Sequence, residues 1–538
     1  MKKHISIAVS TLVISSFLVV GCSSRQSSED SVSNAPTTVV AKDNVVSISV
    51  VDTNGVAVPG VKITIKGTAT DVGGSTITTL TTAPITGLVS FYSKIGETVR
   101  VLTSATGYVD SGSELKIVEG ANNKIIRIVK FDPKAKVAGI EMEDANVSVN
   151  ALGTVTAELN VTVDDGSAGA TPVTVITIPK DTVLKTEDGH LVSGKVKVEA
   201  VHYDDNSTES FPGGLVALAS DVPANQNGTG EKTTQEVNFV SAGFTSITIK
   251  DDKGNSVKNF GDKKITIAMT LPKTTINPES GNLVQANDQI PIWSYNVSTG
   301  KWKYEELGKV IQNPNDKNTW AVIYQASHLS YWNLDWHYSP VCKPAHINIT
   351  DLPANTDKIT SLEIKGRGFN KTVFDYNGDG YYDLDNVPKT IPLTFSLKYD
   401  GSVKDAKSVT LGNACKVDLT LGNVTPKAAT KVKFVEICSD GSHEKVLPSI
   451  PTYILSGGAW TYLGSGSKNG ELNFPADSGS TASIYAMATG NRYTSSYKYE
   501  HIKAGSQDQT IKFVLGSKYD DYCFPEGEET GATGGDKF

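Results

Sequence analysis

Val46-Ser-Ile-Ser-Val50, the turn Asp52-Thr-Asn-Gly55 and the returning Pro59-Gly-Val-Lys-Ile-Thr-Ile65 contain the pattern that governs the whole chain. Apolar and polar residues alternate with a period of two, as in a strand that presents one face to a core. Asn-Gly supplies the positive φ that a tight reversal needs. The pattern recurs roughly every ten residues between Gly, Asn and Asp turns, at sandwich spacing. Helical periodicity is nearly absent. The expected fold class is all-β, with tandem β-sandwich modules around a larger central β domain.

The pattern repeats on a longer scale too. Gly87-Leu-Val-Ser-Phe91, then Ala105-Thr-Gly107, then Ile125-Ile-Arg-Ile-Val-Lys-Phe131 has a counterpart near the C-terminus. There Gly470-Glu-Leu-Asn-Phe474 is followed at the same offset by Ala488-Thr-Gly490 and then by Thr510-Ile-Lys-Phe-Val514. A weaker third copy has Gly380-Tyr-Tyr-Asp-Leu384, Asp400-Gly401 and Val417-Asp-Leu-Thr-Leu421. Such self-similarity marks repeated structural units. The expected modules are 46–132, 343–424 and 428–516, with a non-repeated central β domain at 136–340.

With Asp52-x-Asn-Gly55 and Gly87-x-Val-x-Phe91 in the first copy, the modules resemble the carboxypeptidase regulatory-like β-sandwich, which implies a transthyretin-like or Ig-like module type. Asp52-x-Asn-Gly55, Val58-Pro-Gly-Val61, Gly87-x-Val-x-Phe91 and Gly107-Tyr108 carry the likeness, with Cys438-Ser-Asp-Gly441 at the first turn of the last copy. It implies a structural or binding appendage without chemistry. No His-x-x-Glu or His-Glu-x-x-His ligand set accompanies it. The central region is similar to the extracellular part of cartilage intermediate layer protein and of astroprincin-type proteins. That likeness rests on the Ile176-Thr-Ile-Pro179 strand, Phe211-Pro-Gly213, the Trp293-x-Tyr295…Gly300-x-Trp302 hairpin and His328-Leu-Ser-Tyr-Trp-Asn-x-Asp335. It implies matrix or surface architecture, again without catalysis.

Lys2, Lys3 and the apolar run Ile5–Val20 read as a signal peptide, too short to span a bilayer. Val19-Val20-Gly21-Cys22 resembles the lipobox of bacterial lipoproteins, so residues 1–22 are expected to be signal peptide and lipobox. The resemblance implies lipidation of Cys22, a membrane partner through that anchor, and a place on the bacterial cell envelope at the outer membrane or cell surface. Residues 23–45 have the composition of a flexible linker, and 517–538 that of a tail, disordered after Cys523. A net charge of −8 without basic clusters argues against nucleic acid. Cys342, Cys415, Cys438 and Cys523 are an even set in an exported chain, which reads as disulfides. Pairing within each copy gives Cys342–Cys415 and Cys438–Cys523, with crossed pairings open.

Five of the six tryptophans fall between Pro291 and His337. The block is either a ligand platform, stacking sugars on Trp293 and Trp302, or the buried seam of the central domain. Burial is the weightier reading, with Trp320 inward and the two hairpin indoles as the ligand contacts if there are any. Glu305 and Glu306 read as a solvated hairpin face. His328 and His337, near Asp335, read as hydrogen-bonded core residues. No nucleophile elbow or phosphate loop occurs. The expected function is therefore non-enzymatic: a cell-surface lipoprotein that binds a glycan or surface protein, or scaffolds the envelope. The alternative is a carbohydrate-binding or glycan-active protein using the Trp-rich hairpin.

Asp375, Asn377, Asp379, Tyr381 and Asp383 have the oxygen spacing of a Ca²⁺ loop, although Asn386 stands where an EF-hand has its bidentate Glu. Asn-Gly-Asp-Gly is also ordinary hairpin chemistry. The expected calcium signature is a rise in Tm on adding Ca²⁺, reversed by chelator and abolished by Asp379→Ala. Identical melting under all these conditions would remove calcium as a ligand.

Overall fold

The first strand of each repeat is the axis of its module. Val45–Val51 pairs antiparallel with Leu88–Tyr92 and parallel with Asn122–Arg127. Ala345–Thr350 does the same with Tyr381–Leu384 and Lys416–Thr420. Ala428–Ile437 repeats it with Glu471–Ala476 and Gln509–Val514. The computed structural model describes residues 44–523 apart from 119–121, 167–169, 226–227, 338–339, 353–359, 375–379, 425–427, 457–458, 477–478, 489–492, 496 and 505–508.

Each of these sheets has a four-stranded companion. In the first module the companion runs Thr79–Thr81, Lys62–Lys66, Thr98–Ser104, Ser111–Lys116. In the next it runs Phe369–Phe374, Thr360–Gly366, Leu393–Tyr399, Ser402–Val409, and in the last Ala459–Ser465, Pro451–Ser456, Thr481–Met487, Tyr497–Lys503. The alternation seen in the sequence becomes a shared core: Val46, Ile48 and Val50 pack with Ile63, Ile65, Val99, Val101, Ile126 and Ile128. A Cys342–Cys415 disulfide closes the middle copy, and Cys438 and Cys523 are also disulfide-bonded.

One glycine explains why the three copies share a motif. Gly87, Gly380 and Gly470 immediately precede the strand that pairs antiparallel with the first, at φ +63°, +68° and +69°. Their carbonyls accept hydrogen bonds from the backbone N–H of Val50, Ile349 and Phe434 at 2.8, 2.7 and 2.8 Å. A Cβ would sit 2.5 Å from the Val50 oxygen, 3.0 Å from that of Ile349 and 2.7 Å from that of Phe434. The left-handed backbone and the close approach each call for glycine.

Between the first and second copies lies a twelve-stranded sheet. Its main path runs Ile140–Val149, Gly194–Tyr203, Val240–Asp251, Tyr331–Trp336, Gln289–Asn296, Lys301–Gln312, Thr319–Ala326, Ile265–Pro272, Thr174–Ile178, Leu159–Val163. Lys301–Gln312 serves both halves. It pairs with Gln289–Asn296 over most of its length and with Thr319–Ala326 at its C-terminal end. The sheet thus doubles back and encloses an aliphatic core, with Val196, Ile247, Ile292 and Leu334 opposite Val161, Ile176, Ile267 and Val322.

Directional contacts tie the first and middle modules to this sheet. Arg367 grips the buried Asp205 carboxylate with two N–H groups, at 2.9 and 3.1 Å. Beside it, Gly368 N–H donates to the Asp205 carbonyl and Ser241 N–H to that of Gly368. Gly213 N–H reaches the Gly112 carbonyl of the first module, and Leu218 N–H the Glu114 carboxylate. The first and last copies also meet. The Ser90 and Tyr453 hydroxyls are 2.6 Å apart, and the Tyr92 hydroxyl donates to the Ser449 carbonyl. Leu88–Tyr92 is buried at every residue as a result.

Gly87→Ala and Gly470→Ala should each cost more than about 1 kcal/mol, the penalty combining strained φ and collision. Gly60 has φ +72° but open space around it, so Gly60→Ala should lower Tm less. Equal losses at all three positions would refute the close-approach account.

Candidate functional site

Parity along Gln289–Asn296 divides the tryptophan block between two faces. Ile292 and Ser294 share a face with Leu334 and Trp332, which they pair with across the sheet. Trp293 and Tyr295 point the other way, where Trp302, Tyr304 and Tyr331 join them. Phe239 lies 4.9 Å from both Trp293 and Trp302, and Phe244 packs on Trp302 and Tyr331. The Phe211–Leu215 loop closes over them, with the Trp302 indole N–H directed at the Gly213 carbonyl, 3.4 Å away. Trp293 donates to the Asp335 carbonyl at 3.0 Å.

This corrects the expected ligand contacts. Trp293 and Trp302 are 0% and 1% exposed, so neither offers a ring face to a sugar. Trp320 is the half-buried one. It donates to the Val284 carbonyl, and the Lys273 ammonium sits 3.3 Å above its ring. Alternation shows which residues share a face, but a loop about 80 residues earlier covers this one.

The other face carries the chemistry-bearing side chains. A bulge between Ile292 and Trp293 leaves Glu305 without an opposite residue, since Ile292 pairs with Glu306 and Trp293 with Tyr304. Glu306 is exposed, whereas Glu305 turns inward, which corrects its placement on a solvated face. Ser294 donates to Glu305 Oε1 at 2.6 Å, and Lys303 Nζ lies 3.1 Å from Oε2. His328 Nε2 is 3.1 Å from Oε1, and its Nδ1 is 3.0 Å from Ser330 Oγ. Burial alone would raise the Glu305 carboxyl. Hydrogen bonds from His328 and Ser294 and the Lys303 charge outweigh it and bring the pKa down to about 2. The His328 ring stacks on Trp332, centroids 5.2 Å apart, which holds its plane.

Next to this row is a cleft of about 420 Å³ where Tyr331–Trp336 joins the sheet. Leu329, Ser330 and Tyr331 form part of its wall, along with Lys258, Asn255, Asn296, Asp110 and Glu187. The lining is mixed in charge and mostly polar. Ser330, Ser294 and Lys303 were not singled out from the sequence. The His328-x-Ser330 spacing, which in extended backbone puts both side chains on one side just before Tyr331–Trp336, was the available signal.

The remaining residues lie apart from the row. His337 packs edge-on against Trp293 at 4.8 Å, and burial lowers its pKa to about 4. Asp375, Asn377 and Asp379 lie outside the described residues, as does Cys22. Tyr381 and Asp383 are described, and the Tyr381 hydroxyl and the Asp383 carboxylate each lie 2.6 Å from His346 Nδ1. Among the described residues, no group of three or more His, Cys, Asp or Glu could hold a metal ion. No described helix is long and apolar enough to cross a membrane.

No family model matches the chain, and no curated protein matches it. Partial likeness extends to solved bacterial structures. The shaft pilin SpaA from Lactobacillus rhamnosus GG is 12% identical over 32% of this chain and 98% of its own, with a TM-score of 0.16. The minor pilin GBS52 of Streptococcus agalactiae is 9% identical over 32% and 97%, TM-score 0.16. The Bacillus anthracis TIE protein is 11% identical over 71% and 58%, TM-score 0.14. Likeness this low carries no statement about function or assembly.

Asp335, on the aromatic side of the row, is fully buried. Desolvation pushes its carboxyl well above the usual range, and hydrogen bonds with Ser241 and Asn333 offset only part of the rise. The folded chain therefore holds a proton that the unfolded chain releases near pH ~4. This contribution to stability is complete below that pH and declines as pH rises through the raised folded value. Asp335→Asn should remove the decline, so the Tm of the wild type relative to the variant should fall from pH 4 to pH 9. A pH-independent difference would contradict the protonated state.

Proposed function

We propose that the protein is a lipid-anchored, non-catalytic component of the bacterial cell envelope, displayed at the outer membrane or cell surface, that works by binding or scaffolding. The observation that carries this reading is the packing of three sandwiches of one topology, the first and middle ones against the central sheet and the last against the first. Directional contacts hold them together: Arg367–Asp205 joins the middle copy to the sheet, and the buried Ser90–Tyr453 pair joins the last copy to the first. Such contacts fix the modules relative to one another, which suits a body that presents juxtaposed surfaces. The aromatic block supports the same reading, because its rings are used in the core. Exposed edges such as Ser402–Val409 remain for a glycan or a surface protein to meet.

Wild-type protein should incorporate labelled fatty acid and be accessible to protease on intact cells, whereas Cys22→Ala should be unlabelled and soluble. The unanchored body, added to cells lacking the protein, should bind saturably, with competition by either envelope polysaccharide or protein revealing the partner class. Lipid labelling without saturable binding would keep the anchor and eliminate the binding role.

A further inference from the structure

Glu305, His328 and Ser330 form a row of acid, base and nucleophile whose proton positions follow from the contacts. Glu305, as a carboxylate, can only accept, so His328 Nε2, 3.1 Å from Oε1, is the nitrogen that donates to it. In the neutral imidazole that leaves Nδ1, 3.0 Å from Ser330 Oγ, as the acceptor for the serine hydroxyl. That is the tautomer a general base needs, oriented by a carboxylate on its far nitrogen, and such sets are recognised by geometry and role rather than chain order. Trp332 stacking and the second hydrogen bond from Ser294 keep the ring and the carboxylate in place.

The acyl group that this serine can reach is restricted. Ser330 is 8% exposed, which bars a macromolecular substrate. The carbonyl carbon of Leu329 is always at hand, because a serine hydroxyl can close a five-membered ring onto the preceding carbonyl. We propose that the chain cleaves its own backbone between Leu329 and Ser330, with His328 as the base and Glu305 as its orienting carboxylate.

Ser330 Oγ attacks the Leu329 carbonyl carbon as its proton passes to His328 Nδ1. The C–N bond to Ser330 then breaks, and the same proton goes to the departing nitrogen. The product is an ester between Leu329 and the Ser330 side chain, with a free amine on Ser330. Water from the adjoining cleft, whose wall includes both residues, attacks that ester. This leaves a Leu329 carboxylate and restores the Ser330 hydroxyl. One water is consumed, no redox partner is needed, and the row acts once per chain. Tyr331–Trp336 stays hydrogen-bonded between Val240–Asp251 and Gln289–Asn296, so the two pieces should remain associated.

Full-length protein, incubated at neutral pH, is read by denaturing gel and N-terminal sequencing. The expected result is a C-terminal fragment beginning at Ser330, which co-elutes with the N-terminal piece under native conditions. Hydroxylamine should accelerate its appearance by intercepting the ester. Ser330→Ala and His328→Ala should stay intact. Glu305→Gln should slow cleavage on the order of a hundredfold, within the range for loss of acid–base assistance. Ser330→Cys should still cleave through the thioester, which separates lost chemistry from lost folding. A wild-type chain that stays whole in hydroxylamine overturns the proposal. So does equal fragmentation of Ser330→Ala. Neither result bears on the anchor or the partner.

Discussion

Tyr331–Trp336 has no solvent side. It is the last strand of the central domain in chain order, yet it lies in the interior of the sheet between Val240–Asp251 and Gln289–Asn296, with all six residues buried. A strand in that position needs cover on both faces. Aliphatic residues from the folded-over half of the sheet cover one, and the ring network topped by Phe211–Leu215 covers the other. Each indole removed from water contributes roughly 4–6 kcal/mol as an upper bound at ~25 cal/mol/Å². A net hydrogen bond contributes roughly 1 kcal/mol. Tryptophans placed here therefore act on stability long before they could act on a ligand.

The repeated modules solve a smaller version of the same problem. Each has a first strand held antiparallel on one side and parallel on the other, and each enters the antiparallel partner through a glycine that no other residue could replace without movement. Around them the polar contacts are selective. Arg367 and Asp205 form a bidentate pair at a junction where the carboxylate is 4% exposed. Loss of the arginine would leave a desolvated charge, whereas exposed pairs such as Lys416–Asp418 contribute little. Such junctions fix how the modules meet more than they add to total stability.

The legible and illegible parts of the site divide along one physical line. His328, Glu305 and Asp335 were visible as residue types, and the spacing of Trp293 and Tyr295 showed that they share a face. Which face was covered could not be read. That depends on Phe211–Leu215 and Phe239, distant in sequence. The inward turn of Glu305 depends on a bulge, one extra residue in a register that only pairing defines. Ser330 drew no attention because a serine beside a strand is unremarkable until a histidine nitrogen is found 3.0 Å from it.

Period-two alternation, the Asn-Gly turns and the recurring glycine of Gly87, Gly380 and Gly470 determined by themselves that this is an all-β chain with three copies of one module. Those properties follow from local backbone geometry, which a sequence expresses directly. The doubling of the central sheet, the junctions that the copies make with it and with each other, and the meeting of Glu305, His328 and Ser330 were decided only by the tertiary structure. They rest on contacts between segments far apart in the chain, and no short stretch of sequence encodes which distant segment will lie against it.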